Sequence, residues 1–558
     1  MTSEDSDLPL QRLYHWERER PHAVCLSQPM GGGLVRDYTW SQVAGEARRI
    51  GAYLLALGFE PGSRIGIMSK NCAWWIVSDL AIWMAGHVSV PLYPTLSGAS
   101  VRQVLEHSDA KACFIGKLDD WQQMRIGIPA SVHCISYPVA PPNDFPAWDA
   151  ILASTLPISG SPTRPADALA TIIYTSGTTG VPKGVMHSFR TFALGAANTQ
   201  EIYGLGPQDR LMSHLPLSHV GERWGIEAGM LRCGFRVYFA ESLETFARDL
   251  RAARPTFFAT VPRLWTRFQQ GVFQKLPKRR LERLFALPLI GRAMKRKVLQ
   301  GMGLDQVRAA ASGAAPLPLD LLLWYRGLGL ELRELYGMTE NFALSHGSRQ
   351  GQGKPGWVGT PYPGVECRLG EGGEVLVRSP CNMLGYYLQP ELTRETLSED
   401  GWLHTGDLGE IDPDGRLRIT GRAKELFKTS KGKYVAPAPI ENRLAQHEQV
   451  EACCVAGAGF PQPFALLMLA PPATARAAGT LALREELERS LATHLEKVNA
   501  QLDPHEQLDF LCVVRDAWTT DNGFVTPTMK VRRTEIEKAY GTLFQRWAEQ
   551  KQAVVWQE

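Results

Sequence analysis

Residues 174–184 read YTSGTTGVPKG and follow an apolar run, ALATII, with the character of a buried strand. These eleven residues hold three glycines, three threonines, a serine and a lysine. Glycines let a backbone approach an anion closely, hydroxyls and exposed N–H groups donate to phosphate oxygens, and Lys183 supplies positive charge. The nucleoside-triphosphate hydrolase pattern G-x-x-x-x-G-K-[ST] nevertheless fails twice. Pro182 stands where it needs glycine, five places after Gly177, and Gly184 stands where it needs a hydroxyl. Gly, Ser and Thr also fill plain surface turns. Their concentration with a lysine directly after a buried strand favours a phosphate-holding loop.

Outward from this loop, helical and extended patterns alternate between about residues 38 and 260. SQVAGEARRIGAYLLALG is an amphipathic helix ending at glycine, and RIGIMS, KACFIG, RVYFA and TFFATVP are short strands. Such alternation predicts largely parallel sheets covered by helices on both faces. Residues 356–420 turn rich in glycine and proline with short β pieces, which predicts a β-rich subdomain. After GRAKELFK the remaining chain mixes helices and strands as a compact α+β unit. The expected fold is therefore α/β: a large N-terminal domain, 1–423, of two αβαβα-type parallel-sheet subdomains plus the β-rich subdomain, then a small mobile α+β domain, 424–558.

At 558 residues the chain is too long for one core, and length predicts about three or four compact units. A net charge of +3 gives no argument for a nucleic-acid partner. The ten cysteines show no C-x-x-C spacing, which argues against structural zinc and for a reduced, cytoplasmic chain. The acidic N-terminus does not read as a secretory signal. The most apolar window, Trp74 to Tyr93, contains Asp79, Gly86 and His87 and reads as a buried helix leading into a strand.

YTSGTTGVPKG resembles the phosphate loop of the adenylate-forming superfamily: acyl-CoA synthetases, adenylation domains and beetle luciferases. Further stretches follow in the family's order: LPLSHVGER (215–223), ASGAAPLP (311–318), ELYGMTE (334–340), DGWLHTGDLG (400–409), GRAKELFKTSKGKYVAP (421–437) and PTMKVRR (527–533). The resemblance covers nearly the whole chain. It implies that a carboxylate attacks the α-phosphate of ATP, giving an acyl-adenylate and pyrophosphate, and that a thiol then displaces AMP. On this resemblance Ser176, Gly177, Thr178, Thr179, Gly180 and Lys183 hold the β- and γ-phosphates, with Thr175 beside them in the catalytic group. Gly313, Ala314, Tyr336 and Gly337 form the adenine segment with Thr339, and Glu340 ligates Mg²⁺. Asp407 accepts the ribose hydroxyls, with Arg422 supporting the ribose or α-phosphate. Lys530 stabilises charge between carboxylate and α-phosphate, Lys424 is the interdomain hinge, and Gly432 lets the backbone approach the pantetheine arm of CoA. Taken singly, Tyr336 would more often be a core aromatic, and Glu340 and Lys530 surface charges.

The 400–428 segment, the pair Glu222–Arg223 and KTSKGKYVAP look most like the long-chain fatty acyl-CoA synthetase branch. His219 would line or gate the acyl pocket, with core packing as the competing reading. Arg223 and Trp224 crowd the place where long-chain relatives carry a gating aromatic, which leaves chain length open. The alternatives are an acyl-AMP ligase loading a carrier protein, a CoA ligase for a medium-chain or aryl acid, a luciferase-type oxygenase, and a non-enzymatic binding module. Segment 275–297, KLPKRRLERLFALPLIGRAMKRK, carries nine basic residues and one acid among Leu, Phe and Ile. It is a candidate for peripheral contact with anionic lipid at the inner face of a membrane, a solvated basic helix face being the other reading. Oligomeric state is not legible.

Overall fold

The apolar runs assemble into a seven-stranded sheet in the order Gly385–Tyr386, Lys183–Ser188, Leu169–Thr175, Val88–Leu92, Arg64–Met68, Ala110–Ile115, His133–Ser136. The computed structural model describes residues 7–175, 183–477, 479–520, 522–526 and 530–557. From Leu169–Thr175 onward the neighbouring strands run parallel, as helical crossovers require. Crossover helix Ala73–Met84 is buried at every residue, which explains its apolar character all round. No helix among the described residues is long and apolar enough to cross a membrane. Helix Trp40–Ala56 starts at a capping box between Thr39 and Gln42 and buries Val43, Ala47, Ile50 and Leu54 at helical spacing.

Two further sheets follow. One has the order Leu34–Thr39, Val24–Gly31, Arg236–Phe239, Arg210–Ser213; the other runs Phe257–Thr260, Ala309–Ser312, Leu332–Tyr336, His346–Gly347, Thr360–Pro361. Each mixes parallel ladders with an antiparallel edge. The α/β class with parallel sheets is thus observed, with antiparallel additions that periodicity alone did not separate.

The stretch around residue 180 joins two such strands. Lys183–Ser188 lies antiparallel to Leu169–Thr175, with Thr175 opposite Lys183 and Tyr174 opposite Gly184. The chain therefore returns into a neighbouring strand and not into a helix, the context a hydrolase loop needs. Gly184 has a packing reason as well: a Cβ there would lie 2.7 Å from Ile172 Cγ2.

By internal contacts the chain forms two compact units. The first is Met1–Cys367 with Leu376–His404, and the second is Arg368–Val375 with Thr405–Glu558. The β-rich span 356–420 is shared between them, and Thr405–Ala423 groups with the second. The second unit is built on a sheet ordered Val450–Ala456, Phe464–Leu469, Leu511–Val513, Val554–Trp556. Helix Leu481–Asn499 buries Leu487, Leu491, Leu495 and Val498 in the core on one side. Phe464, Phe510, Trp518, Tyr540 and Trp547 belong to a second core cluster. All ten cysteines are free thiols.

Candidate active site

In the first unit, strand Lys183–Ser188 brings three parts of the site together. Its far neighbour is Gly385–Tyr386, and the Tyr386 hydroxyl donates to Glu340 Oε1 at 2.7 Å. Lys183 Nζ lies 5.5 Å from the centre of the Tyr386 ring. His187, fully buried, donates Nε2–H to the Thr339 carbonyl at 2.7 Å. Burial drops the His187 pKa to about 4, with the Thr339 bond opposing and Arg223 adding to the shift. The ring is therefore neutral at physiological pH, and the carbonyl partner fixes which nitrogen carries the proton. Lys183, Thr339 and Glu340 thus meet through Tyr386 and His187, two residues no sequence motif marked. Ser176, Gly177, Thr178, Thr179 and Gly180 lie outside the described residues.

The turn that carries Glu340 is tightly specified. A Cβ on Gly337 would lie 2.4 Å from the Ala343 carbonyl oxygen, so only glycine fits. Buried Asn341 accepts from Met338 N–H at 2.9 Å, and Ala343 N–H returns to the Met338 carbonyl at 2.9 Å. Phe342 and Ala343 take the left-handed conformation, at φ 54° and 59°. Tyr336 ends strand Leu332–Tyr336 half-buried, its ring 6.1 Å from that of His346. The adjacent strand ends at Ser312, opposite Glu334, and leads into Gly313 and Ala314, the latter at φ 67°. Glu334 accepts from the Leu317 and Gly356 backbones, and burial pushes its carboxyl up to about 7. The segment 313–318 is so tied to the strand that presents Tyr336.

His219 starts a short helix, Val220–Glu222, and its Nδ1 accepts from Gly221 N–H at 3.1 Å. The helix continues as a π-type turn, Arg223–Ala228, a form frequent at functional sites. Glu222 and Arg223 are both buried. Glu222 Oε1 accepts from Ser213 Oγ and His214 N–H, each at 2.8 Å. Burial pushes its carboxyl up to about 8 against those bonds. The Arg223 guanidinium lies 5.1 Å from both the Trp75 and Phe192 ring centres and is paired to Asp79 and, at 3.4 Å, to Glu227. All three charged side chains are fully buried. Burial holds the Glu227 carboxyl well above its ordinary range, with Arg223 opposing and Asp79 adding. Asp79 and Glu227 thus both face the buried Arg223 guanidinium, and burial biases the Glu227 carboxyl toward its neutral form. Trp224 donates to the Gly195 carbonyl at 2.9 Å.

The second unit carries the remaining candidates. Asp407 and Arg422 face each other across an antiparallel ladder, with Arg422 Nε 2.8 Å from Asp407 Oδ1. Asp407 is buried while Arg422 is half-exposed, and Asp407 N–H donates to Thr405 Oγ1 at 3.1 Å. Lys424 is exposed in the short turn Ala423–Glu425 directly after that ladder. Gly432 stands at φ 78°, closing the turn between Phe427–Lys428 and Tyr434–Val435. Lys530 is exposed and pairs with Thr526: Thr526 N–H donates to the Lys530 carbonyl at 2.8 Å, and Lys530 N–H to Thr526 Oγ1 at 3.1 Å. Pro527, Thr528 and Met529 lie outside the described residues. Arg533 donates to Glu441 Oε1 at 2.7 Å and to the Val455 carbonyl, which anchors the start of helix Arg533–Tyr540 to the core.

Mg²⁺ takes one or two carboxylates together with substrate phosphates. Glu340 fits that role: it is half-buried, and one oxygen is engaged by Tyr386 while the carboxylate keeps further acceptor capacity. No cage of three or more His, Cys, Asp or Glu side chains exists among the described residues.

The AMP-binding enzyme family model matches residues 13–387, and that of the AMP-binding enzyme C-terminal domain matches 425–550. The chain belongs to the AMP-binding enzyme family. It is 31% identical over 576 residues to the long-chain-fatty-acid–CoA ligase FadD15 of Mycobacterium bovis, covering 95% of both chains. It is 30% identical to the peroxisomal long chain acyl-CoA synthetase 7 of Arabidopsis thaliana, over 91% of this chain and 81% of that one. Among solved structures, the A domain of carboxylic acid reductase from Segniliparus rugosus, in complex with AMP and a co-purified carboxylic acid, superposes with a TM-score of 0.80. That match is 21% identical and covers 97% of this chain and 94% of the other. The anthranilate CoA ligase AuaEII superposes with a TM-score of 0.75 at 22% identity, over 95% and 97% of the two chains. These two likenesses bear on the fold.

Proposed function

We propose that the protein is an ATP-dependent acid–thiol ligase that joins a fatty, long-chain carboxylic acid to CoA. What supports this reading most is the meeting of Lys183, Thr339 and Glu340 through His187 and Tyr386, in a chain alike along its length to long-chain-fatty-acid–CoA ligases. In the first half-reaction a carboxylate oxygen of the acid attacks the α-phosphorus of ATP. An O–P bond forms, the bond to the β-phosphate breaks, and the electron pair leaves with pyrophosphate. In the second, the CoA sulfur attacks the acyl carbonyl carbon and AMP leaves with its oxygen.

Lys183 supplies positive charge to the β- and γ-phosphates together with residues 176–180 and Thr175, while Tyr386 limits where its ammonium and Glu340 can sit. Mg²⁺ held at Glu340 would neutralise phosphate charge. Tyr336, Gly337, Gly313 and Ala314 form the adenine cradle, and Asp407 with Arg422 binds the ribose. Lys530 offsets the charge of two approaching anions in the first half-reaction alone. The C-terminal part pivots at Lys424, the boundary between domains 1–423 and 424–558, and the turn at Gly432 then serves the pantetheine arm. His219 lines the acyl pocket. A fatty acid of such length partitions into bilayers, and segment 275–297 is the candidate for meeting it at an anionic membrane surface.

Lys530→Ala tests the division of labour. It should abolish acid-dependent pyrophosphate release while thioester formation from preformed acyl-adenylate continues. Equal loss in both half-reactions refutes the assignment. A carboxylate panel scored for pyrophosphate with and without CoA tests the acceptor, and turnover that demands a carrier protein instead of CoA overturns it.

A further inference from the structure

Helices Lys278–Phe285 and Pro288–Met302 pack against each other as a hairpin with a very short connection. Gly291 makes the corner possible: its N–H donates to the Leu287 carbonyl at 2.6 Å, and a Cβ there would lie 2.4 Å from the Phe285 carbonyl oxygen. The corner consists of Ala286, Leu287, Pro288, Leu289 and Ile290, five consecutive apolar residues that are all exposed. Leu289 is 84% exposed, Ile290 54% and Leu287 44%. Isolated exposed leucines are ordinary, whereas a contiguous apolar run of this kind needs a partner.

The charge around the corner says which partner. Segment 275–297 has nine basic residues and one acid, and Arg283, Arg292 and Arg296 are exposed on the two helices that lead away from the tip. On the second helix Leu289, Arg292, Ala293 and Arg296 fall at spacings of three and four, so one outward face passes from apolar at the tip to cationic behind it. A nucleic acid would use the cations and leave the tip in water. A bilayer with anionic headgroups uses both: acyl chains receive the tip, and headgroups meet the arginines at the level where they stand.

We propose that the corner Ala286–Ile290 is a wedge by which the protein docks on anionic lipid bilayers, with the flanking arginines at headgroup depth. This deepens the membrane contact proposed above for segment 275–297 by naming the docking element, and it needs no turnover. The test is co-sedimentation with phosphatidylcholine vesicles, with and without phosphatidylserine, in the absence of ATP, acid and CoA. The parent should bind only the anionic vesicles. Leu289→Gln/Ile290→Gln, which removes the apolar tip and leaves the net charge unchanged, should bind at least about tenfold more weakly. Arg292→Glu/Arg296→Glu should lose about fivefold or more per reversed charge. All these side chains are surface residues, and turnover of a short water-soluble acid should be unchanged in both variants. Anionic-vesicle binding that the wedge variant retains in full overturns the proposal in favour of a plain polyanion site, and so does failure of the parent to bind at low salt. Neither result touches the ligase reading, which the pyrophosphate assay decides separately.

Discussion

Removing both carboxylates that face Arg223 should loosen the helix begun by His219 far more than their size suggests. The Arg223 guanidinium, the Asp79 carboxylate and the Glu227 carboxyl are all fully buried, so no water can replace a lost partner. In Asp79→Asn, Glu227 still faces Arg223 and can serve as its counter-ion, so the single variant is partly rescued. In Asp79→Asn/Glu227→Gln no anion remains, and a buried charge without its partner costs about 3–5 kcal/mol. The Trp75 and Phe192 rings flank Arg223 in the parent and in both variants, so their contribution cancels. Amide hydrogen exchange over Ala73–Met84 and residues 220–233 reads this local stability without requiring the whole chain to unfold in one step. Opening should become about 150- to 5000-fold more frequent in the double variant. Adding Arg223→Met removes the stranded charge and should restore most of the protection. A double variant within about 1 kcal/mol of the parent, or a further loss on adding Arg223→Met, refutes the reasoning.

Two more outcomes follow from the same geometry. The Glu222 carboxyl is raised from about 4.5 to about 8, so the folded state keeps a proton that the unfolded chain releases. The stability this contributes is full below about 4.5 and is lost as pH rises toward 8, at up to about 1.4 kcal/mol per unit. Glu222→Gln should therefore flatten the fall in melting temperature between those limits, and an unchanged profile argues against a protonated Glu222. Gly337→Ala should lower acid-dependent pyrophosphate release at least about 100-fold, because the new methyl meets backbone and not a movable side chain. Activity within about threefold of the parent would show that the Tyr336–Glu340 turn does not need this conformation.

The alternating strands and helices were legible because each carries its own apolar periodicity, as in RIGIMS and the helix that ends at Gly58. The hairpin formed by Leu169–Thr175 and Lys183–Ser188 was not. KGVMHS has few β-branched residues, and its pairing depends on what lies on either side of it. Tyr386 and His187 escaped notice for a related reason. Each acts through a residue more than forty or a hundred and fifty positions away, and neither stands in a motif of its own. Asp79 was legible only as a reason against a membrane span, because its partner Arg223 is 144 residues distant. Lys183 and Glu340 carried the opposite kind of signal, since their neighbours in sequence announce the chemistry even though their meeting depends on the fold.

The pairing of Thr526 with Lys530 has a mechanical consequence. Val525, next to Thr526, is buried in the aromatic core cluster, Thr526 and Lys530 hold one another by two hydrogen bonds, and Arg533 is clamped to Glu441 and Val455. The lysine is thus mounted like a bit in a chuck. Its backbone cannot swing out by itself without undoing that grip, so large displacements of the ammonium require the body that carries it to travel. If Lys530 serves one half-reaction and vacates the site for the other, the rate of that exchange is a rigid-body rate. Loosening the grip at Glu441 should then blur the timing of the two steps.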